Sequence, residues 1–301
     1  MHADEVPIDA SLVKQLLKTQ FPHWADLPIQ PVKSAGTDNA LYRLGDNMVV
    51  RLPRIHWAID QIQKENQWLP KLAPSLPFKI PTPLLMGMPD ETYPWNWGIY
   101  KWIEGESATR ENVEDLSEVA RELASFIKSL QKNDVTNGPS ALDHDLRGAP
   151  LSTRDVDTRE AIASMKDMID TEVAIQIWET SLQAPEWDKP PVWFHGDLLP
   201  GNILIKQGHL HAVIDFGGLG VGDPACDLLS AWGLFSGKTR KIFRDSLNVD
   251  DATWLRGRGH ALSQAVIFIP YYLNTNPIGV AYMQNVLDEI FKDYFANQKI
   301  G

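Results

Sequence analysis

The chain has 301 residues, of which 44% are hydrophobic and 22% are charged, and its formal net charge is −11 at pH 7. This composition is typical of a globular protein and excludes a disordered chain, and the length favours two domains or one large one. No apolar run reaches the ~20 residues that cross a bilayer, and the acidic start differs from a signal peptide. We therefore expect a cytoplasmic protein that does not bind membranes.

The negative charge belongs to the second part of the chain. Residues 1–103 contain 10 acidic and 10 basic side chains, whereas residues 104–301 contain 29 acidic and 18 basic ones. Such a field disfavours nucleic acid as a partner and would concentrate a cationic ligand near an acidic cleft. The alternative is that the acidity only maintains solubility.

The first third of the chain has the pattern of a small β-rich region. Residues 40–44 and 48–52 are β-type runs separated by a Gly-Asp-Asn turn, which predicts a hairpin. A turn-rich loop at residues 31–39 precedes it, and backbone N–H groups in such a loop can bind phosphates. Ser34, Gly36 and Thr37 are the candidate donors in this loop, although turn formation explains them equally well.

After this region the pattern becomes helical. Apolar residues recur at three- and four-residue intervals from about residue 111 to residue 130, which predicts an amphipathic helix. Residues 131–158 are rich in Asp, Asn, Gly and Pro and are predicted to be a loop or an insert. A further helix is predicted to begin at Asp223, with Asp223 as its N-cap and Pro224 in its first turn. Asp227 lies in this otherwise apolar segment and needs hydrogen-bond partners if it is buried.

One stretch carries most of the chemical information: residues 193–205 read WFHGDLLPGNILI, and residues 213–217 read VIDFG. Asp197 and Asn202 lie five positions apart, the spacing of a loop in which the Asp accepts a hydroxyl proton and the Asn holds Mg²⁺. The apolar runs 203–205 and 210–214 flank Gly208 and predict a hairpin, which would bring Asn202 and Asp215 together. Ordinary turn formation is the alternative explanation for these side chains.

The order His-Gly-Asp, together with Leu-Leu-Pro-Gly-Asn and Ile-Asp-Phe-Gly, resembles the aminoglycoside phosphotransferase and small-molecule kinase family. The resemblance implies a bilobal, protein-kinase-like α+β fold with a small β-rich N-terminal lobe and a larger, mainly helical C-terminal lobe. It implies that Asp197 is the catalytic base, that Asn202 and Asp215 bind Mg²⁺, and that ATP or GTP is the phosphoryl donor. It also implies supporting structural roles for His195 and for Asp227, which would hold the catalytic loop by hydrogen bonds.

The same resemblance suggests how the nucleotide is bound. Arg51 occupies the position at which the family has a phosphate-binding lysine on a strand. The residue is still a cation, but its charge is on a planar guanidinium group and not on a compact ammonium group. The apolar spacing of residues 59–69 predicts a helix, and Glu65 on this helix could pair with Arg51. The alternative is that Glu65 is exposed to solvent on the helix surface. The strand at residues 98–103 resembles the interlobe hinge, so Tyr100 and Trp102 could flank the base, although core packing explains them equally well.

These observations lead to one functional hypothesis with several alternatives. We expect residues 1–103 to form a nucleotide-binding lobe and residues 104–301 a catalytic and acceptor-binding lobe. The protein would transfer the γ-phosphoryl group of ATP or GTP to a hydroxyl of a small, cationic molecule, with an aminoglycoside antibiotic as the leading acceptor. The alternatives are a kinase for a macrolide or for a metabolite such as choline, homoserine or a sugar, and a nucleotide-binding pseudokinase.

Overall fold

The computed structural model describes residues 5–32, 38–142 and 147–298. The N-terminal part is built on an antiparallel sheet with the spatial order first, second, third, fifth and fourth strand. The strands are β1 (Ile29–Pro31), β2 (Asn39–Leu44), β3 (Met48–Pro53), β4 (Pro83–Gly87) and β5 (Trp97–Lys101). Successive residues of β2 alternate between half-buried and buried, as expected for a strand with one face against a core.

Two helices accompany this sheet. Helix α1 (Ala10–Gln20) begins at the N-cap Asp9 and buries Val13, Leu16 and Leu17 in a core shared with β2 and β3. Helix α2 (Ile59–Leu72) contributes its buried aromatic and leucine side chains to the larger core of the C-terminal part. Helix α2 therefore connects the two parts of the molecule, and its Glu65 is fully buried.

The C-terminal part is mainly helical. Its helices are α3 (Leu116–Gln131), α4 (Asp155–Ser164), α5 (Thr171–Leu182), α6 (Ser230–Gly233), α7 (Gly237–Leu247), α8 (Asp251–Tyr272) and α9 (Pro277–Gln298). Short strands lie between them: β6 (Glu106–Ser107), β7 (Val192–Phe194), β8 (Ile203–Lys206), β9 (His209–Val213) and β10 (Gly220–Gly222). Strands β6, β8 and β9 form one small sheet and β7 pairs with β10. None of the described helices combines the length and the apolar character needed to cross a bilayer.

The α+β fold class expected from the sequence is confirmed, and so are both hairpins. Strands β2 and β3 pair antiparallel, with Gly45 in the turn at φ 55°. Strands β8 and β9 are joined by Gln207 and Gly208, which both have positive φ values of 54° and 80°. Two consecutive left-handed residues give the turn twist that matches a two-residue hairpin.

Three boundaries differ from the sequence-based expectation. The helix predicted from residue 111 begins at Leu116, because the carboxylate of Asp115 accepts the N–H groups of the first turn and ends the preceding loop. The segment predicted as loop to residue 158 ends earlier, since a 3₁₀ turn covers Leu151–Arg154 and α4 follows. In the third case Asp223 is the predicted N-cap, but the six buried residues Pro224–Leu229 form a 3₁₀ helix before α6, as is common at helix N-termini.

Candidate active site

The catalytic loop at residues 195–202 connects β7 to β8. Hydrogen bonds join its two ends: the side-chain Nδ2 of Asn202 donates to the backbone oxygen of Asp197 at 2.9 Å and to the Oδ2 of Asp197 at 2.9 Å. This arrangement uses the amide nitrogen of Asn202 and leaves its Oδ1, a hard oxygen donor, available for a cation. The five-residue spacing in the sequence thus corresponds to a direct contact.

The ring of His195 is a fixed support for this loop. Its Nδ1 accepts the backbone N–H of Asp197 at 3.1 Å, so the proton is on Nε2, which donates to the carbonyl oxygen of Ile214 at 3.1 Å. The side chain is fully buried, and burial lowers the pKa of His195 to about 4. His195 is therefore neutral near pH 7 and holds the catalytic loop against the end of β9.

Asp227 holds the same loop from the other side. Its two carboxylate oxygens accept the backbone N–H groups of His195 at 2.9 Å and of Gly196 at 2.7 Å. Burial raises the pKa of Asp227 to about 7, although both hydrogen bonds act against this shift. The partners that the sequence required for this buried carboxylate are thus the backbone of the catalytic loop.

Removing the Asp227 carboxylate leaves two buried N–H groups without acceptors. We expect Asp227→Ala to lower the free energy of unfolding by about 2 kcal/mol or more, since each unpaired group costs about 1–3 kcal/mol. Turnover should fall as well, because residues 195–197 lose their anchor. Urea unfolding and steady-state assays measure both effects. Cys226→Ala is the matched control, because it changes the adjacent buried residue without touching the loop; equal losses in the two variants would contradict the anchoring role.

Asp215 lies next to this loop although it is 13 positions from Asn202. The backbone N–H of Ile214 donates to the carbonyl oxygen of Asn202 at 2.9 Å, which brings the two ends of the β8–β9 hairpin together. Asp215 itself has a left-handed backbone, with φ 62°, a conformation that Asp tolerates better than most residues. Burial acts to raise its pKa, but the charge of Arg51, the nearby His195 and hydrogen bonds from Gly217 and Arg51 together outweigh burial and hold the pKa of Asp215 below its usual value.

Arg51 links the N-terminal sheet to Asp215. Its Nη1 donates to Glu65 at 2.5 Å, and its Nη2 donates to Asp215 at 2.7 Å and to Gln61 at 2.9 Å. The remaining oxygen of Glu65 accepts the hydroxyl of Tyr100 at 2.7 Å. Glu65 is fully buried, so the prediction that it pairs with Arg51 agrees with the structure and the alternative of a solvated Glu is wrong.

The residues predicted to contact the nucleotide base and the phosphates have different outcomes. Tyr100 is only 3% exposed and its hydroxyl is bound to Glu65, which favours the core-packing alternative for this ring. Trp102 is half-buried at the end of β5, with the guanidinium of Arg43 4.0 Å from its ring centroid. Ser34, Gly36 and Thr37 lie outside the described residues.

Several polar side chains of the site were not predicted. Arg147 donates to the carboxylate of Asp197, and Gln264 of α8 donates to the same oxygen at 3.3 Å. Lys64 of α2 donates to the carbonyl oxygen of Gly217 at 2.6 Å, and burial lowers its pKa to about 8. Arg147 lies in a loop, Lys64 in α2 and Gln264 in α8, and no sequence motif surrounds these positions. Only the three-dimensional structure therefore identifies them as part of the site.

The oxygen donors present fit a hard divalent cation. Asp215 supplies a carboxylate that is 40% exposed, and Asn202 supplies the amide oxygen that its hydrogen bonds leave unused. Within residues 5–32, 38–142 and 147–298, no group of three His, Cys, Asp or Glu side chains could hold a metal by itself. The donor set therefore suits Mg²⁺, which usually takes one or two protein oxygens and completes its shell with phosphates and water.

The fold and the site define a protein-kinase-like phosphotransferase. The model of the phosphotransferase enzyme family known as APH matches residues 29–262, and the chain belongs to this family. A comparison with curated proteins gave no match.

Solved structures share the fold. The GDP complex of wild-type aminoglycoside 2′-phosphotransferase-IIIa has a TM-score of 0.74 at 19% identity, over 95% of this chain and 100% of that one. A GDP and kanamycin complex of an enzyme of the 2″ class has a TM-score of 0.71 at 20% identity, over 95% and 99%. Macrolide 2′-phosphotransferase MphH from Brachybacterium faecium has a TM-score of 0.60 at 21% identity, over 91% and 98%.

Proposed function

We propose that the protein transfers the γ-phosphoryl group of a nucleoside triphosphate to a hydroxyl group of a small molecule. The observation that carries this proposal is the bridge from Glu65 through Arg51 to Asp215, with ion-pair distances of 2.5 and 2.7 Å. The bridge places a buried cation from the sheet beside the oxygen donors that follow the catalytic loop. A permanent cation next to metal-binding oxygens is the environment that a polyphosphate requires.

Each residue of the site has a proposed role. Asp197 orients the acceptor hydroxyl and takes its proton, and Arg51, held by Glu65, contacts the nucleotide phosphates. Asn202 and Asp215 would hold Mg²⁺, which when bound neutralises phosphate charge. We assign residues 1–103 to the nucleotide-binding lobe and residues 104–301 to the catalytic and acceptor-binding lobe.

ATP and GTP are both proposed as donors. Solved relatives of the fold are complexes with GDP, with ADP and with ATP, so the fold accommodates either purine in those proteins. In this chain the half-buried Trp102 and the loop donors Ser34, Gly36 and Thr37 are the proposed contacts to base and phosphates. We place the reaction in the cytoplasm, where nucleoside triphosphates are available.

A cationic acceptor, with an aminoglycoside as the leading candidate, is the proposed substrate. Its support is the distribution of charge, because residues 104–301 carry the whole net charge of −11. The solved relatives include complexes with streptomycin, gentamicin and kanamycin. An aminoglycoside acceptor would make the protein an antibiotic-inactivating enzyme.

A macrolide is the second candidate, and a surface feature favours it. Tyr271 is 57% exposed, and Leu273 and Ile278, which follow it at the turn between α8 and α9, are 44% and 74% exposed. Tyr271 lies seven positions after Gln264, on the same helix face and about 10 Å along the axis. Residues 265, 266 and 269 of the same helix are fully buried in the core, so they contribute nothing to this surface.

The function is tested by nucleotide binding followed by an acceptor screen. We expect MgATP or MgGTP to raise the melting temperature, as ligand linkage requires, and we expect nucleotide turnover to increase with one member of a panel of aminoglycosides, macrolides and hydroxylated metabolites. Nucleotide binding without turnover of any kind would instead support the pseudokinase alternative. No nucleotide binding at all would refute the proposal.

The charge of the acceptor can be tested separately. If exposed carboxylates bind a polycation, raising the salt concentration should raise the acceptor KM several-fold, because charges are screened over ~8 Å at physiological ionic strength. The measurement uses an aminoglycoside and a macrolide at saturating nucleotide. A salt-independent aminoglycoside KM, or turnover of macrolides alone, would contradict the cationic acceptor and leave the kinase assignment unchanged.

A further inference from the structure

A guanidinium group lies directly beside the proposed catalytic base. The Nη1 atom of Arg147 donates to Oδ1 of Asp197 and to the carbonyl oxygen of Gly196, the latter at 2.6 Å. The Arg147 side chain is 36% exposed, so the group faces open space as well as the base. Among residues 5–32, 38–142 and 147–298, its Nη2 and Nε have no hydrogen-bond partner. Two N–H edges of this cation therefore remain available to an anion.

The charge of Arg147 interacts with carboxylates of both parts of the molecule. Burial acts to lower the pKa of Arg147, but the carboxylates of Asp197 and Asp38 outweigh burial and raise it, so the side chain stays a cation. Asp38 directly precedes β2. The charge of Arg147 thus interacts with Asp197 of the C-terminal part and Asp38 of the N-terminal part.

The two other cations described at the site donate to groups on the Asp215 side of it. Arg51 donates to Glu65, Gln61 and Asp215, and Lys64 donates to the carbonyl oxygen of Gly217. The catalytic loop, HGDLLPGN at residues 195–202, contains no Lys or Arg. Arg147 therefore places a cation in direct contact with Asp197, and its Nη2 and Nε donors can reach a negative charge that develops there.

The reaction geometry brings that charge within reach of Arg147. An acceptor oxygen must lie about 2.6–3.2 Å from the base that takes its proton, and the phosphorus it attacks must lie about 3–3.5 Å beyond it. In the transfer step the bond between the acceptor oxygen and phosphorus forms while the bond from phosphorus to the β-phosphate oxygen breaks. The acceptor proton passes to Asp197, and the nucleoside diphosphate leaves with the electron pair. Negative charge during this step lies on the equatorial oxygens of the phosphoryl group.

We propose that Arg147 is a catalytic residue that binds the transferred phosphoryl group through its Nη2 and Nε atoms while Nη1 keeps Asp197 in position. This inference rests on the proposed function and adds a residue that stabilises the transition state. An interaction that forms mainly in the transition state raises kcat and leaves the nucleotide KM nearly unchanged. The proposal therefore has a kinetic signature that a structural role would not produce.

The test compares Arg147→Ala and Arg147→Lys with the parent protein, using water as the acceptor so that the natural acceptor is not needed. We expect Arg147→Ala to lower the kcat of MgATP or MgGTP hydrolysis by about 100-fold or more, with the nucleotide KM within about threefold of the parent value. Arg147→Lys keeps the charge and should recover part of the loss. Arg159→Ala is the matched control, because Arg159 is 38% exposed and ion-paired to Asp155 in a helix outside the site.

A second readout does not depend on turnover. MgADP with aluminium fluoride mimics the phosphoryl group during transfer, and MgADP alone does not. We expect the parent protein and Arg159→Ala to gain extra thermal stability from aluminium fluoride, and Arg147→Ala to keep the MgADP shift and lose only this gain. If Arg147→Ala fails to fold, Arg147→Lys is measured in the same way, and a reduced gain is the expected result.

Three results would overturn the inference while leaving the kinase assignment intact. Unchanged hydrolysis and an unchanged aluminium fluoride gain in Arg147→Ala would exclude contact with the phosphoryl group. Faster hydrolysis would show that Arg147 blocks the base. Unchanged hydrolysis with a raised KM for an acceptor found by screening would show that Arg147 binds an anionic acceptor. A parent protein that binds no nucleotide would refute the proposed function, and this inference with it.

Discussion

Replacing Asp197 by Asn should lower turnover by roughly 10²-fold or more, with folding and nucleotide binding preserved. The substitution keeps the size of the side chain and its capacity to accept a hydrogen bond, but an amide cannot take the hydroxyl proton of the acceptor. The structure supports the choice of Asn, because Asn202 and Gln264 already donate to the Asp197 carboxylate, and an amide oxygen can accept one of these bonds. The measurement is kcat and KM for nucleotide and acceptor.

Asp188→Asn is the control for this experiment. Asp188 is exposed and lies in the loop after α5, so the same loss of one negative charge occurs away from the site. We expect parental kcat for Asp188→Asn and equal melting temperatures for both variants. Near-parental turnover of Asp197→Asn would exclude Asp197 as the base, whereas a large drop in melting temperature would point to a role in folding.

Replacing Asp215 by Ala should abolish the part of nucleotide binding that depends on Mg²⁺. The parent protein should gain thermal stability from MgATP or MgGTP, and the gain should shrink when EDTA removes the metal. Asp215→Ala removes the carboxylate that would hold the metal and also leaves Arg51 with one partner fewer. We expect its thermal shift with nucleotide to be the same with and without Mg²⁺, and its turnover to fall by at least 10²-fold.

Backbone conformation requires a second variant at this position. With φ at 62°, Ala is strained at position 215, whereas Asn tolerates the left-handed region. Asp215→Asn therefore separates the two causes: it keeps the conformation and a hydrogen-bond acceptor for Arg51 but removes the negative charge. We expect Asn to restore the melting temperature of the free protein but not the full Mg²⁺-dependent shift. A full shift in both variants would remove Asp215 from the metal site.

Local patterns in the sequence were sufficient for the centre of the site. The contact between Asp197 and Asn202 joins residues five positions apart, and the hairpin that brings Asp215 to them is closed by its own turn. The pairing of Arg51 with Glu65 was expected from the family resemblance, whereas the helix that carries Glu65 was predicted from its apolar periodicity. Spacing alone translates into distance for Asp197, Asn202 and Asp215, because the chain between them is a short loop and a tight hairpin.

The remaining features depend on packing between distant segments. Arg147 and Gln264 lie 50 and 67 positions from Asp197 and carry no motif, so nothing in the sequence places them at the base. The 3₁₀ form of Pro224–Leu229 likewise has no signal in the local pattern, which predicts a helix but not its type. For Tyr100, the strand pattern could not decide between the face toward the nucleotide and the face toward Glu65.

The buried pair of His195 and Asp227 affects how a pH–rate profile of this enzyme should be interpreted. A kinetic transition near neutral pH is ordinarily attributed to a histidine, and His195 stands two residues from the base. Here the pKa of His195 is about 4 and both ring nitrogens are engaged, whereas the pKa of Asp227 is about 7. An ionisation seen between pH 7 and 8 would therefore report the Asp227 carboxyl group, which accepts backbone N–H groups of the catalytic loop, or the Lys64 amine, whose pKa is about 8. It would not report an imidazole that exchanges protons with the substrate.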